Sequence, residues 1–94
     1  MHTLKIVEYE WDPARAAENL RKHRVRFAGA VLSLDDPRGL STQDLDSSAE
    51  WRLIYLGADP AGRVLVTVYT LRGRIVRIIS SRKASRAERR AYEV

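Results

Sequence analysis

Cysteine is absent from this chain of 94 residues, and histidine occurs only at positions 2 and 23. The lack of cysteine excludes disulfide bridges, thiolate metal sites and a cysteine nucleophile. The two histidines do not have the short spacing of zinc motifs, so we expect neither a metal nor another cofactor. No apolar run approaches the roughly 20 residues that cross a bilayer, and the N-terminus lacks a signal peptide's apolar stretch. We therefore expect one cytoplasmic domain over residues 1–94 that does not bind membranes.

Positive charge is concentrated in the last third of the chain. Residues 1–62 carry eight basic and ten acidic side chains, whereas residues 63–94 carry nine basic and two acidic ones, a net charge of +7. Such asymmetry is typical of proteins that bind a polyanion, and nucleic acid is the usual one. Charge alone leaves open a solvated basic surface without a specific partner. Neither G-x-x-x-x-G-K-S/T nor G-x-G-x-x-G occurs, which excludes the glycine-rich nucleotide cradles.

The first part of the chain predicts a strand followed by two helices. The β-branched and aromatic run LKIVEYEW (4–11) indicates the strand. Asp12-Pro13 then forms a helix start, with an N-cap aspartate and a proline in the first turn, and this helix extends to about His23. Helical spacing of apolar residues predicts a second helix over Phe27–Leu34, which ends at Asp35-Asp36-Pro37. The two helices form a hairpin.

The remainder predicts an antiparallel meander and a last helix. Alternating or β-branched runs separated by glycine-containing turns indicate strands at Glu50–Leu56, Arg63–Thr70 and Ile75–Ser81, with a weaker strand at Gly39–Gln43. Ser85 and Glu88 have the spacing of a capping box, which opens the C-terminal helix. Helices segregated from an antiparallel sheet make the expected fold class α+β.

Four groups of residues could carry chemistry, and together they supply cations, one carboxylate and one imidazole. Cleavage of RNA without a metal needs a base for the 2′-hydroxyl, cations for the phosphate and a proton donor for the leaving 5′-oxygen. Histidine titrates nearest neutrality and suits either proton role. The groups are Lys22-His23, Glu50 with Arg52, Arg72 with Arg77, and Arg82-Lys83.

Each group also has a purely structural interpretation. Lys22 and His23 stand in the last turn of a helix, where cations stabilise the helix dipole. Glu50 and Arg52 could be an exposed pair, and Arg77 could be a buried arginine paired with a carboxylate. We expect the large aromatic residues Trp51 and Tyr69 in the core rather than as base-stacking platforms, and Arg86, Arg89 and Arg90 on a solvated helix face. Strict alternation would put Arg77 and Arg82 on opposite faces unless a bulge intervenes.

Two runs at opposite ends of the chain resemble the BrnT family of bacterial toxins. EYEWDPARAAENLRKHRVRF (8–27) is similar to the family's opening pattern F-x-W-D-x-x-K-A-x-x-N-x-x-K-H-G-V-x-F, and TLRGRIVRIISSRKASRAERRAYE (70–93) is similar to its closing one. Between them, E-x-R at 50–52 and Gly57 match as well. The chain departs from the pattern at Arg24, where the family has a helix-ending glycine, and at Arg26, where a small polar N-cap is expected. Ser81 replaces the more usual alanine.

The resemblance implies the toxin half of a type II toxin–antitoxin pair with a RelE-like fold, which cleaves RNA and arrests translation. It also implies a BrnA-like antitoxin that binds DNA, and through that complex contact with operator DNA. Combined with the chemistry above, it makes RNA the substrate and divides the candidates into two sets. The catalytic set is His23, Glu50, Arg52, Arg77 and Arg82, and the RNA-binding set is Lys22, Arg72, Arg74 and Lys83.

Two other functions remain open from the sequence. The same scaffold could be a RelE/ParE-like toxin that poisons its target by contact without cleaving RNA. A basic DNA-binding module is the other, although no helix-turn-helix or ribbon-helix-helix pattern is present. For the antitoxin interface Trp11 and Tyr92 are candidate apolar anchors, although core packing is the favoured role for Trp11.

Overall fold

A computed structural model describes residues 8–44 and 51–94, and within them the chain forms three helices and five strands. This α+β composition confirms the predicted fold class. The elements in chain order are β1 (Glu8–Glu10), α1 (Pro13–His23), α2 (Phe27–Ser33), β2 (Leu40–Gln43), β3 (Leu53–Ala58), β4 (Val64–Arg72), β5 (Ile75–Lys83) and α3 (Arg86–Glu93). Residues 4–7 of the predicted first strand lie outside the described residues, as does Glu50.

All five strands belong to one sheet in the order β1-β5-β4-β3-β2. The predicted meander is confirmed: β2, β3, β4 and β5 are antiparallel neighbours. The first strand joins this meander at its far edge, because β1 pairs in parallel with β5 from Glu8 opposite Ile75 to Glu10 opposite Arg77. Helices α1 and α2 carry the chain across one face of the sheet from β1 to β2 at the opposite edge, and the meander then brings β5 back beside β1.

The ends of α1 follow the local sequence. Asp12 is the N-cap, and its side chain accepts a hydrogen bond from the Ala14 N–H at 2.9 Å. The helix ends at Arg24, which has the left-handed φ of 61° and donates its N–H to the Leu20 carbonyl at 3.0 Å. An L-residue with a side chain pays a steric cost in that conformation, which a glycine would not. Arg26, the N-cap of α2, makes no side-chain capping bond.

The capping box of α3 is confirmed. The Glu88 N–H donates to Ser85 Oγ at 3.2 Å, and the Ser85 N–H donates to Glu88 Oε1 at 2.7 Å. The predicted solvated face is confirmed too, since Arg86, Arg89 and Arg90 are exposed. The hydroxyl of Tyr92 donates a hydrogen bond to the Asp36 carboxylate, which ties the end of this helix to the loop after α2.

The core lies between α1, α2 and one face of the sheet. Its most buried apolar side chains are Val25, Phe27, Ala30, Leu65 and Ile78. Trp11 is half-buried beside this core and packs edge-to-face on Phe27 with ring centroids 5.9 Å apart. Helix α2 approaches β3 so closely at Gly57 that a Cβ there would lie 2.6 Å from the Ser33 carbonyl.

A buried asparagine closes the part of the β5 edge that β1 does not reach. The Asn19 amide donates to the Ser81 carbonyl at 2.8 Å, and its Oδ1 accepts from the Ser81 N–H at 3.0 Å. The same amide group donates to the Val25 carbonyl at 2.9 Å. One α1 side chain therefore takes the place of a neighbouring strand and also holds the turn into α2, which satisfies backbone groups that burial would otherwise leave unpaired.

Two strand predictions differ from the structure around residue 51. The strand expected at Glu50–Leu56 is wrong at both ends, because β3 begins at Leu53 and continues through Gly57 to Ala58. It continues because Asp59 holds the following turn, where its Oδ1 accepts from the N–H groups of Ala61 and Arg63 at 3.0 and 2.9 Å. Trp51 precedes the strand and is 64% exposed, so its expected core position is also wrong.

The two longest strands extend past their predicted ends, β4 to Arg72 and β5 to Lys83, because they pair with each other over nearly their whole length. Within the described residues, no helix is long and apolar enough to cross a membrane.

Candidate active site

A bulge in β5 puts the two central arginines on one face of the sheet. The register with β4 steps from Tyr69 opposite Ile78 to Val68 opposite Ser80, so Ile79 is an extra residue in β5. Arg77 then stands opposite Thr70 and Arg82 opposite Val66. Because Val66 and Thr70 are four apart on β4, both arginines face the same way.

This side of the sheet is turned away from α1 and α2. Gly57 marks the covered face, since α2 lies against it, and its partner in the register is Leu65. Val66 therefore faces the other side, and Arg82 faces it too. We call this side the arginine face and define it by Arg77 and Arg82.

Arg77 lies in the middle of a cross-strand row on the arginine face. Its Nη1 donates to Glu10 Oε1 at 3.2 Å across the parallel pair β1–β5. On its other side is Thr70, which is 4% exposed and whose hydroxyl oxygen is buried with no hydrogen-bond partner among the described residues. Arg52 immediately precedes Leu53, the partner of Tyr69, so alternation puts it beside Thr70. The row therefore contains two of the predicted catalytic arginines.

Arg82 is held by a carboxylate from α3. Its Nη1 and Nη2 donate to Glu88 Oε1 and Oε2 at 2.8 and 2.9 Å, a two-pronged pair. The hydrogen bond from Arg82 is the main cause that lowers the pKa of Glu88 to about 2, and the bond from the Ser85 backbone contributes to the same shift. Glu88 therefore both caps α3 and fixes the guanidinium of Arg82 at the end of the arginine face.

Lys22 and His23 border a groove between α1 and the bulge of β5. The groove has a volume of about 400 Å³, and its lining includes Ile79 and Ser80. Ser80 stands opposite Val68 and faces the same side as Arg77 and Arg82. The α1 end, predicted from sequence alone to hold a proton carrier, is therefore adjacent to the arginine face.

The other predicted residues are distributed differently. Arg72 stands opposite Ile75 near the exposed end of the β4–β5 hairpin, and Arg74 is exposed in its turn. Lys83 pairs with Leu65 in the register, which turns it to the face opposite Arg82. Glu50 lies outside the described residues, and so the predicted pair of Glu50 and Arg52 lies partly outside them. Within residues 8–44 and 51–94 no group of three His, Cys, Asp or Glu side chains could hold a metal ion.

Three residues of this site were not among the candidates from sequence. Glu10 comes next to Arg77 only through a parallel pairing between residues 67 apart in sequence, which no local pattern shows. Glu88 was recognised as a cap but not as the partner of Arg82. Thr70 looks like any β-branched strand residue, and it is distinguished by its burial with no hydrogen-bond partner within residues 8–44 and 51–94.

Comparison with known proteins agrees with the resemblance seen in the sequence. A family model described as "Ribonuclease toxin, BrnT, of type II toxin-antitoxin system" matches residues 11–88. The crystal structure of the Brucella abortus ribonuclease toxin BrnT matches with a TM-score of 0.64 and 21% identity, and the alignment covers 86% of this chain and 100% of that one. No curated protein matches the chain. The chain therefore belongs to the BrnT family of ribonuclease toxins from type II toxin–antitoxin systems.

Proposed function

We propose that this toxin cleaves RNA on the arginine face without a metal ion, and thereby arrests translation in the cytoplasm. Arg52, Arg77 and Arg82 bind the scissile phosphate and stabilise its extra negative charge in the transition state. The flanking cations Lys22, Arg72 and Arg74 bind the neighbouring phosphates of the strand. Lys83, which was also predicted to bind RNA, is turned to the opposite face and does not belong to this proposed site. His23 and Glu50 are the proposed proton carriers.

The observation that carries this proposal is the bulge at Ile79. Without it, Arg77 and Arg82 would face opposite sides of the sheet, and no single phosphate group could use both. Planar guanidinium groups match the geometry of phosphate oxygens, so two of them on one face form a preorganised anion site. The groove at Lys22 and His23 opens beside the same face, which gives the proton carrier access to the phosphate.

Membership of a type II family implies an antitoxin partner. We propose that it is a BrnA-like protein that binds DNA, and that the complex contacts operator DNA through it. The charge of the last third of the chain favours an acidic partner surface that covers the arginines and competes with RNA. Trp11 and Tyr92 are the proposed apolar anchors, although both already make contacts within the fold.

The test of the catalytic proposal is cleavage of RNA in EDTA by the purified toxin and two variants. Arg77→Ala should lower the cleavage rate by about 10²–10³-fold, because it removes a preformed charge contact to the transition state. Arg21→Ala is the matched control, since Arg21 is an exposed arginine on α1 paired with Glu18. Activity that disappears in EDTA and returns with Mg²⁺ would contradict metal independence. Equal activity of the two variants would contradict the site.

A further inference from the structure

We propose that Glu10, on the edge strand β1, is the proton acceptor for RNA cleavage. The inference rests on the proposed function and adds to the arginine face a carboxylate that no motif in the sequence indicated. It concerns the step in which the 2′-hydroxyl of the substrate is activated.

The contacts of Glu10 leave it able to accept a proton. Its Oε1 accepts from Arg77 Nη1 at 3.2 Å, and among the described residues its second oxygen makes no hydrogen bond. The Glu10 side chain is 37% exposed and that of Arg77 is 28% exposed, so both are accessible to a bound strand. The ion pair also fixes where the carboxylate lies relative to the guanidinium.

The chemistry of RNA cleavage requires a base close to the cation that binds the phosphate. In RNA the 2′-oxygen attacks the phosphorus attached to the adjacent 3′-oxygen, and the two reacting atoms are about 3–3.5 Å apart in a reactive conformation. A base for the 2′-hydroxyl must therefore lie next to the cation that binds the phosphate. Glu10 and Arg77 are such a pair, and Arg77 retains N–H groups that are not used by Glu10.

Glu88, the carboxylate that holds Arg82, is unsuitable as a base. Both oxygens of Glu88 accept from Arg82, and Oε1 also accepts from the Ser85 N–H. Its pKa is lowered to about 2, so its affinity for a proton is weak. Glu88 therefore holds Arg82 in place, and of the two carboxylates that accept from Arg77 and Arg82 only Glu10 has an oxygen open to a proton.

In the proposed step the free oxygen of Glu10 takes the proton of the 2′-hydroxyl as the 2′-oxygen attacks phosphorus. The P–O2′ bond forms, the P–O5′ bond breaks, and the leaving 5′-oxygen takes a proton from His23, the proposed proton carrier of the adjacent groove, which regains a proton from solvent. The products are a 2′,3′-cyclic phosphate and a 5′-hydroxyl end. Glu10 then releases its proton to solvent, so no oxidant or further reactant is needed.

The experiment measures single-turnover cleavage of RNA across a range of pH for Glu10→Gln, Glu50→Gln and Glu8→Gln. Glu8→Gln is the matched control, because Glu8 is an exposed glutamate on the same strand and stands opposite Ile75 rather than an arginine. Glu10→Gln should lower the rate by about 10²–10⁴-fold and remove the rise of rate with pH on the acidic side. Glu8→Gln should leave both unchanged.

Two further measurements separate proton transfer from positioning and from loss of folding. Glu10→Ala should recover activity when formate is added, and its melting temperature reports whether it folds. A slower Glu10→Gln enzyme with an unchanged pH profile and no formate rescue of Glu10→Ala would overturn the inference, because Glu10 would then only position Arg77. The inference would also be overturned if Glu50→Gln, and not Glu10→Gln, removes the rise of rate with pH on the acidic side. If the wild type cleaves no RNA, the proposed function is wrong. If the wild type is active and Glu10→Gln is fully active as well, only this inference is wrong.

Discussion

The buried amide of Asn19 provides the sharpest test of how this fold is held together. Asn19→Asp keeps the shape of the side chain and the oxygen that accepts from the Ser81 N–H. It replaces the NH₂ group, which donates to the carbonyls of Val25 and Ser81 at 2.9 and 2.8 Å, by a second acceptor. Two buried carbonyl oxygens would then face an oxygen instead of a donor.

The expected cost follows from those contacts. Asn19 is 5% exposed, so water cannot replace the lost donors without opening the fold. Losing two donors and leaving their acceptors unpaired should lower the free energy of unfolding by about 2–4 kcal/mol. That is a large part of the roughly 5–15 kcal/mol that stabilises a typical domain.

Urea denaturation followed by circular dichroism measures this change. Gln43→Glu is the control, because it makes the same amide-to-carboxylate exchange at an exposed residue of β2, and it should change the free energy of unfolding by less than about 0.5 kcal/mol. If Asn19→Asp is as stable as the Gln43→Glu control, the edge of β5 is not held by this amide and the reasoning is refuted.

Three further changes test the local structure. Arg24→Gly should raise the free energy of unfolding by about 1 kcal/mol in urea titrations, since it relieves the left-handed φ of 61°; no gain would mean that the turn is not strained. Gly57→Ala should lower it by about 1–3 kcal/mol, because the new Cβ would lie 2.6 Å from the Ser33 carbonyl; an unchanged stability would argue against this close approach of α2. The pKa of Glu88 is lowered from 4.5 to about 2, so its contribution to stability is present above pH 4.5 and is lost as the pH falls towards 2. Thermal melts of Glu88→Gln should show a weaker dependence on pH in that window, and a dependence identical to wild type would refute the pairing with Arg82.

Helix ends were the most predictable part of the fold, because capping depends on neighbours in sequence. Asp12-Pro13 and the pair Ser85 and Glu88 start their helices as predicted. The position of β1 was not predictable in the same way, since its parallel pairing with β5 is a contact between distant segments. The exposure of Trp51 was not predictable either, because an apolar residue at a strand end carries no information on whether another layer of the fold covers it.

The candidate site was predictable in its cations but not in its arrangement. Arg77 was a candidate because it lies in an apolar strand, and Arg82 because it follows the predicted end of that strand. Their position on one face of the sheet depends on the extra residue Ile79. No local pattern in IVRIISSR distinguishes a bulged strand from a regular one. The carboxylates that hold these arginines, Glu10 and Glu88, come from other elements and could be assigned only from the folded chain.

The central claim is that RNA binds to the arginine face, and arginine side-chain spectra test it directly. The Nε–H signals of the toxin are followed while an RNA with 2′-deoxy substitutions, which cannot be cleaved, is added. Arg77 and Arg82 should shift and saturate together. Arg63, which is paired with Asp59 in the turn after β3, should keep its position. A saturable shift at Arg63 with none at Arg77 and Arg82 would contradict the account.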